Sequence, residues 1–198
     1  MASKERIQRL KEETRMSILE AAYKIVQQEG WQALSMRKIA DAIEYTAPII
    51  YEYFSNKEAI LEELNKKGYL YLGKEMEEAK GKHELPAEQL EAMWMAYWNF
   101  AFKKKELYQL MFGVQMNCCS MQKTPEAEVP ARLITDAITR LMNGKPFSEN
   151  EICRRYYTYW SVVHGLVSIN LVNRGTSDEI NRQVLKDAIS AITKSIVG

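Results

Sequence analysis

Residues 34–61 read LSMRKIADAIEYTAPIIYEYFSNKEAIL, two very short helix-forming segments, a tight turn between them, and the start of a much longer segment. Ser35 is a cap in front of the first, over 36–43, and Thr46 with Pro48 opens the second, over 47–53. Two such helices joined by a three- or four-residue turn make either a helix-turn-helix or an ordinary helical hairpin, and spacing alone leaves both open.

Outward from this stretch, apolar residues recur at helical spacing: Ile18, Ala22, Ile25 and Val26 before it, Leu61, Leu64, Gly68, Tyr71 and Leu72 after it, and Val184, Ala188, Ile192 and Ile196 at the end. No two-residue alternation interrupts them. Gly30, Gly81, Gly144 and Gly175 follow helical runs where a left-handed cap is useful, and Ser55–Glu58, Ser148–Glu151 and Thr176–Glu179 have capping-box spacing. The expected helices are 6–29, 36–43, 47–53, 57–80, 87–103, 105–118, 126–143, 149–174 and 178–197, an all-α protein of about nine helices. Two of the first four helices are very short and joined by a tight turn, whereas the later ones are long and rich in aromatics, which places a boundary inside the fourth: residues 1–65 form one domain and 66–198 another.

The chain has 198 residues, long enough for a real core, and 27 basic residues balance 26 acidic ones. A formal charge of +1 excludes binding to polyanions through bulk basicity, so any nucleic-acid contact is local. Cys118, Cys119 and Cys153 form no CxxC pair, which suits a reducing compartment. The charged start MASKERIQRLKEETR has no signal-peptide core, and no run approaches the roughly 18 apolar residues of a membrane helix. A cytoplasmic protein without membrane contact is expected.

The stretch from Leu34 to Leu61 resembles the DNA-binding domain of the tetracycline-repressor (TetR) family. The resemblance rests on Ser35, Ile39-Ala40, Tyr51-Glu52-Tyr53-Phe54 and Lys57-Glu58-Ala59-Ile60, and on ILEAAYKIVQQEGW from Ile18 to Trp31, so it covers about the first 65 residues. Where the family has Ala-Gly-Val-Ser in the turn and Gly-Thr after it, this chain has Ile43-Glu44-Tyr45-Thr46 and Pro48-Ile49. Glu44 replaces the turn glycine and must either accept or avoid a left-handed backbone that costs about 1–2 kcal/mol.

The resemblance, with side-chain chemistry, implies roles on double-stranded DNA. Ala47, Pro48 and Ile49 face base edges and read thymine methyls without bidentate hydrogen bonds, which favours T-rich half-sites. Tyr51, Tyr53, Arg37 and Lys57 suit phosphate oxygens, as do the hydroxyls of Ser35 and Thr46. Lys4, Arg6, Arg9 and Lys11 form a run of local charge +3 with Glu5, to be laid along a phosphate strand or left as a solvated tail.

Between Trp94 and Phe112 lie seven of the chain's 20 aromatic rings, with Met93, Met95, Met111 and Met116 nearby. Such density builds either plain core or a pocket for an apolar ligand. YYTYWSVVHGLVSINLVN, Tyr156 to Asn173, and ELYQLMFG, Glu106 to Gly113, resemble pieces of the family's ligand-binding region, which implies a pocket. The expected lining is Trp94, Tyr97, Trp98, Phe112, Met116, Trp160 and His164. His164 shares a helix face with Trp160, Val163, Val167 and Leu171 and reads as a satisfied core histidine or as a polar group presented to the ligand. Gly165 is expected to admit a close helix. The helices near 149–174 and 178–197 form an antiparallel pair that in the family meets a second copy, implying a homodimer.

Chemistry finds little material. Gly68–Lys74 has GxxxxGK spacing but no following Ser or Thr and no strand before it, and two histidines supply no catalytic or metal constellation. No cofactor or metal is expected, and no enzyme. The reading is a repressor that binds an inverted-repeat operator and is released by a small apolar or aromatic effector moving helix 57–80. The alternative is a helical adaptor or ligand-binding protein that has lost DNA reading.

Overall fold

Ile18, Ala22, Ile25 and Val26 fall on one stripe of the first helix, α1 (Ala2–Glu29), and all four are buried. The computed structural model describes residues 2–113, 124–142 and 148–197, and every regular element among them is helical. After α1 come a single 3₁₀ turn at Trp31–Ala33, α2 (Met36–Ala42), α3 (Ala47–Tyr53), α4 (Lys57–Lys80), α5 (Pro86–Lys103), α6 (Lys105–Phe112), α7 (Pro125–Met142), α8 (Glu149–Leu171) and α9 (Asp178–Val197). Expected and observed ends agree closely, except that α1 already begins at Ala2, α6 stops at Phe112 with Gly113 already outside the helix, and α8 stops at Leu171. Residues 114–118 of the expected sixth helix, with Cys118, Cys119 and Met116, lie outside the described residues, as does Gly144.

The chain divides into two compact units: Met1–Lys67 with Gln109–Met121, and Gly68–Tyr108 with Gln122–Gly198. In the first, α1 packs against α2 and α2 against α3, and Met36, Ile39 and Ala40 of α2, Ile50 and Phe54 around α3, and Ile60, Leu61 and Leu64 of α4 are all buried. In the second, α5 packs against α7, α8 and α9, and α8 against α9. Its core holds Trp94, Trp98, Phe100, Ile134, Ile138, Tyr159, Val163, Val167, Leu185 and Ile189.

Several caps differ from the expected ones by one residue. Asn56, not Ser55, caps α4, its Oδ1 accepting the Ala59 N–H at 2.8 Å, and Ser177, not Thr176, caps α9 through the Ile180 N–H at 3.3 Å. Both helices start one residue beyond the box's register, so the third backbone donor meets the neighbouring side chain. Ser148 does cap α8 through the Glu151 N–H. Thr46 precedes α3 but its hydroxyl caps nothing. Pro48 has no N–H to give, and the Ile49 N–H goes to the Thr46 carbonyl at 3.0 Å.

The left-handed positions also differ. Gly30 has φ 82°, but Gly81 and Gly175 do not have positive φ, and the other left-handed residues described are Glu44 (φ 59°) and Asn173 (φ 56°). Gly175 is needed for room: a Cβ there would lie 1.9 Å from Asn170 Oδ1, which accepts from Asn181 Nδ2 at 2.7 Å and ties α8 to α9. Among the described residues nothing approaches a Cβ at Gly165 within 4 Å, so no described helix packs closely there. Along α9 the buried line is Asn181, Leu185, Ile189, Thr193 and Ile196, and Val184 is 46% exposed. That helix is apolar on two faces, and periodicity alone picked the wrong one at its start. Tyr71 on α4 is likewise exposed, while Leu72 and Met76 are buried.

Candidate functional site

The α2–α3 pair is joined by a turn that Glu44 shapes. Tyr45 N–H reaches back to the Ala40 carbonyl at 2.9 Å while Glu44 takes the left-handed conformation, so the turn that glycine usually serves closes here with a glutamate. At the start of α2, Ser35 Oγ accepts the Lys38 N–H at 3.2 Å. The Lys38 ammonium pairs with Glu29 of α1, which fixes α2 against the end of α1.

Exposure sorts the residues expected on DNA. Ser35, Arg37, Thr46, Pro48 and Tyr51 are exposed, while Ala47, Ile49, Tyr53 and Lys57 are half-buried. Lys57 Nζ donates to the Trp31 carbonyl at 3.1 Å, so its charge also holds the start of α4 to the turn after α1. On α3, Pro48, Tyr51 and Glu52 stand at three- and four-residue spacing on the side opposite buried Ile50 and Phe54. Exposed Glu44 and Tyr45 lie just before that row in the turn. Tyr45, at 44% exposure, and Glu52 were not among the residues expected from sequence. The four-residue step from Pro48 to Glu52 was the available signal.

Behind this face, Arg15 binds Glu63 at 2.6 Å and lies over the Phe54 ring, 5.2 Å from its centroid. Burial pushes the Glu63 carboxyl up, but hydrogen bonds from Lys66 and Arg15, and their charges, bring it below the usual carboxylate value. Lys4, Arg6, Arg9 and Lys11 are exposed on helical turns of α1. Arg9 lies 3.7 Å from Glu13, an exposed pair that contributes little.

The expected ligand residues of the second unit form a dense aromatic network. Trp94, Tyr97 and Trp98 are almost wholly buried, and Trp160 and His164 are half-buried. Trp94 stacks on Tyr159 with centroids 5.9 Å apart and meets Tyr97 edge-on at 5.6 Å; Trp160 stacks on His164 at 4.9 Å. Trp98 packs on Phe102. Phe112 ends α6 half-buried, and Met116 lies outside the described residues.

Hydrogen bonds link the rings of this network. The Trp160 indole can only donate, and it bonds Tyr97. Tyr97 OH lies 3.2 Å from Tyr108 OH, which lies 2.5 Å from His164 Nδ1. Tyr97 OH also lies 3.5 Å from the same Nδ1, so both hydroxyls converge on the His164 ring. Burial pushes the Tyr97 and Tyr108 hydroxyls up and the His164 imidazole down, each toward its neutral form; Tyr156, also buried, is pushed up to about 12. The network favours neutral side chains throughout. The Trp94 and Trp98 indole N–H groups find no acceptor among the described residues.

An open groove of about 440 Å³ lies elsewhere in the second unit, between Ala87, Glu88 and Glu91 of α5 and Ile189, Thr193 and Lys194 of α9. It contains none of the expected ligand residues. Among the described residues no group of three acidic, histidine or cysteine side chains could hold a metal, and no helix is long and apolar enough to cross a membrane.

A short-turned helix pair in the first unit and a separate helical unit after it define a helix-turn-helix regulatory protein by architecture. Residues 18–64 match the family model for bacterial regulatory proteins of the tetR family, and residues 90–189 match that for the tetracyclin repressor-like C-terminal domain. The chain belongs to the TetR family of transcriptional regulators, whose members bind DNA and small-molecule ligands, typically as dimers.

Among solved structures, a Rhodococcus sp. RHA1 protein of unknown function is similar over 93% of this chain and 95% of its own, with 20% identity and a TM-score of 0.79. RolR in complex with resorcinol aligns over 96% and 95%, at 13% identity and TM-score 0.66. Thermus thermophilus FadR, a transcriptional repressor in complex with lauroyl-CoA, aligns over 90% and 92%, at 17% identity and TM-score 0.64. These are likenesses of fold. A search of curated protein sequences returns no match.

Proposed function

We propose that the protein is a cytoplasmic, non-enzymatic repressor that binds an inverted-repeat operator as a homodimer and is released by a small, uncharged apolar or aromatic effector. The observation that carries the reading is the outward row of Pro48 and Tyr51 on α3, presented by a closed turn and backed by a buried face. Arg37, Ser35, Thr46 and Tyr51, with half-buried Tyr53 and Lys57, position the phosphates, while Ala47, Pro48 and Ile49 meet base edges. In the second unit the neutral network around Tyr97, Tyr108, Trp160 and His164 favours an uncharged effector, with Trp94 and Trp98 beside it; Phe112, also expected to line the site, belongs to the first unit.

A second copy is supported by apolar side chains left exposed on α8 and α9. These are Tyr157, Val162 and Ile169 on α8, Val172 just past its end, and Ile180 and Val184 on α9, with no described atom within 4 Å of a Cβ at Gly165. α4 begins in the first unit and ends in the second, and effector binding moves it as a lever, altering the spacing of the two recognition helices. Such a switch requires the effector to bind two states unequally.

The acidic side chains beside the α3 row favour a second reading, a helical adaptor that no longer reads DNA. Selection of genomic fragments by the purified protein at two salt concentrations separates the two. Recovery of a short inverted repeat, with binding lost on adding an effector, supports the regulator. Binding that ignores sequence and vanishes at higher salt refutes it.

A further inference from the structure

The outward row of α3 carries no cation. Pro48, Tyr51 and Glu52 compose it, with Glu44 and Tyr45 leading in, and the nearest lysines are engaged: Lys38 with Glu29 and Lys57 with the Trp31 carbonyl. Arg37 on α2 is the exposed cation of the pair. Glu52 is exposed and makes no ion pair or hydrogen bond among the described residues. A carboxylate on a surface that approaches a polyanion is repelled by every phosphate, so it is tolerable only where it faces hydrogen-bond donors.

In the major groove those donors are the exocyclic amino groups, N4 of cytosine and N6 of adenine. Guanine O6 and N7 and thymine O4 are acceptors only. Adenine places acceptor N7 beside its amino group, whereas cytosine presents the amino group alone, so cytosine suits a carboxylate best. Pro48, one helical turn before Glu52 on the same side, has no donor or acceptor to offer and can only meet a thymine methyl or a sugar.

We propose that Glu52 is a base-reading residue of the recognition helix that selects a cytosine in each half-site, accepting from its N4 amino group and rejecting bases that present only acceptors. Its neighbours supply the rest of the local code, with Pro48 against a thymine methyl and Tyr51 on a phosphate. Selectivity at this step is attractive toward cytosine and repulsive toward guanine and thymine. The inference rests on the operator-binding reading above and adds the chemistry of one base step to it.

The test is selection from a random double-stranded oligonucleotide library by the full-length protein and by the variants Glu52→Ala and Glu52→Gln. The side chain is exposed and makes no ion pair or hydrogen bond among the described residues, so both variants keep the fold. The expected wild-type half-site has one position dominated by cytosine. Glu52→Ala flattens that position alone, a loss of discrimination of roughly 5- to 150-fold. Glu52→Gln moves the preference there toward adenine, which a glutamine amide pairs with bidentately. If Glu52→Ala instead tightens binding to all sequences equally and leaves every position unchanged, Glu52 only repels phosphate and the inference fails while operator binding stands. A wild-type half-site without a cytosine-dominated position has the same consequence. If the wild type enriches no sequence, operator binding and the inference fail together.

Discussion

Replacing Glu44 by glycine is expected to stabilise the protein, an outcome that the exposed position of the side chain alone would not suggest. The residue sits at φ 59°, where the Cβ of any L-residue crowds the following carbonyl at a cost of about 1–2 kcal/mol. Glycine removes that crowding but brings a more flexible unfolded chain, which returns about 0.4–1 kcal/mol. The net gain is about 0.5–1 kcal/mol. For a chain of this size that corresponds to a rise of about 1–4 °C in midpoint temperature. The assay is urea unfolding of wild type, Glu44→Gly, Glu44→Asn and Glu44→Ala at one fixed protein concentration, because self-association would otherwise shift the midpoints. Glycine and alanine both delete the charge, so their difference isolates the backbone. The expected order is glycine above asparagine, which tolerates the left-handed region, with alanine close to wild type. A glycine variant less stable than the alanine variant would refute the reasoning, since glycine is the poorer residue wherever φ is negative.

Tyr108→Phe leaves the half-buried His164 Nδ1 without its short hydrogen-bond partner and is expected to cost about 1 kcal/mol in denaturant unfolding. His164 also confers a pH dependence. Its folded-state pKa lies below the usual 6.5, so its contribution is intact above pH 6.5 and falls as the pH drops from there through the folded value, the unfolded chain binding the proton first. Subtracting the stability profile of His164→Gln from that of wild type exposes this component, and a component that grows as the pH falls would contradict it. Gly175→Ala drives a Cβ against Asn170 and breaks its bond to Asn181, with an expected loss of about 1–3 kcal/mol by calorimetry. Ser148→Ala should cost about 1 kcal/mol and Thr46→Ala only a few tenths, because only the serine hydroxyl holds a backbone donor; equal losses would show that Thr46 caps α3 after all.

Local chemistry made much of this protein legible from its residues alone. The stripe Ile18, Ala22, Ile25 and Val26 specifies α1, Ser35 starts α2, Pro48 starts α3, and Ser148 starts α8, because periodicity, capping and ring constraint act within one or two turns. The two short helices and their neighbouring motifs also identified the family, since the pattern that positions a recognition helix is contiguous in the chain. A residue outside the expected set, Glu52, was within reach by the same logic, one turn beyond Pro48.

Tertiary structure decided what local pattern left degenerate. α9 is apolar on two faces, and only packing selected Leu185 and Ile189 for the core and turned Val184 outward. The caps at Asn56 and Ser177 depended on where each helix began, a choice of one residue between two hydroxyl- or amide-bearing neighbours. Gly175 proved to be a matter of space beside Asn170, and Lys57 a tie to Trp31, contacts between segments that share no periodicity. The meeting of Tyr97, Tyr108 and His164, with Trp160 stacked on the imidazole, emerged only when side chains from three helices packed together, because no single helix's pattern encodes contacts between segments.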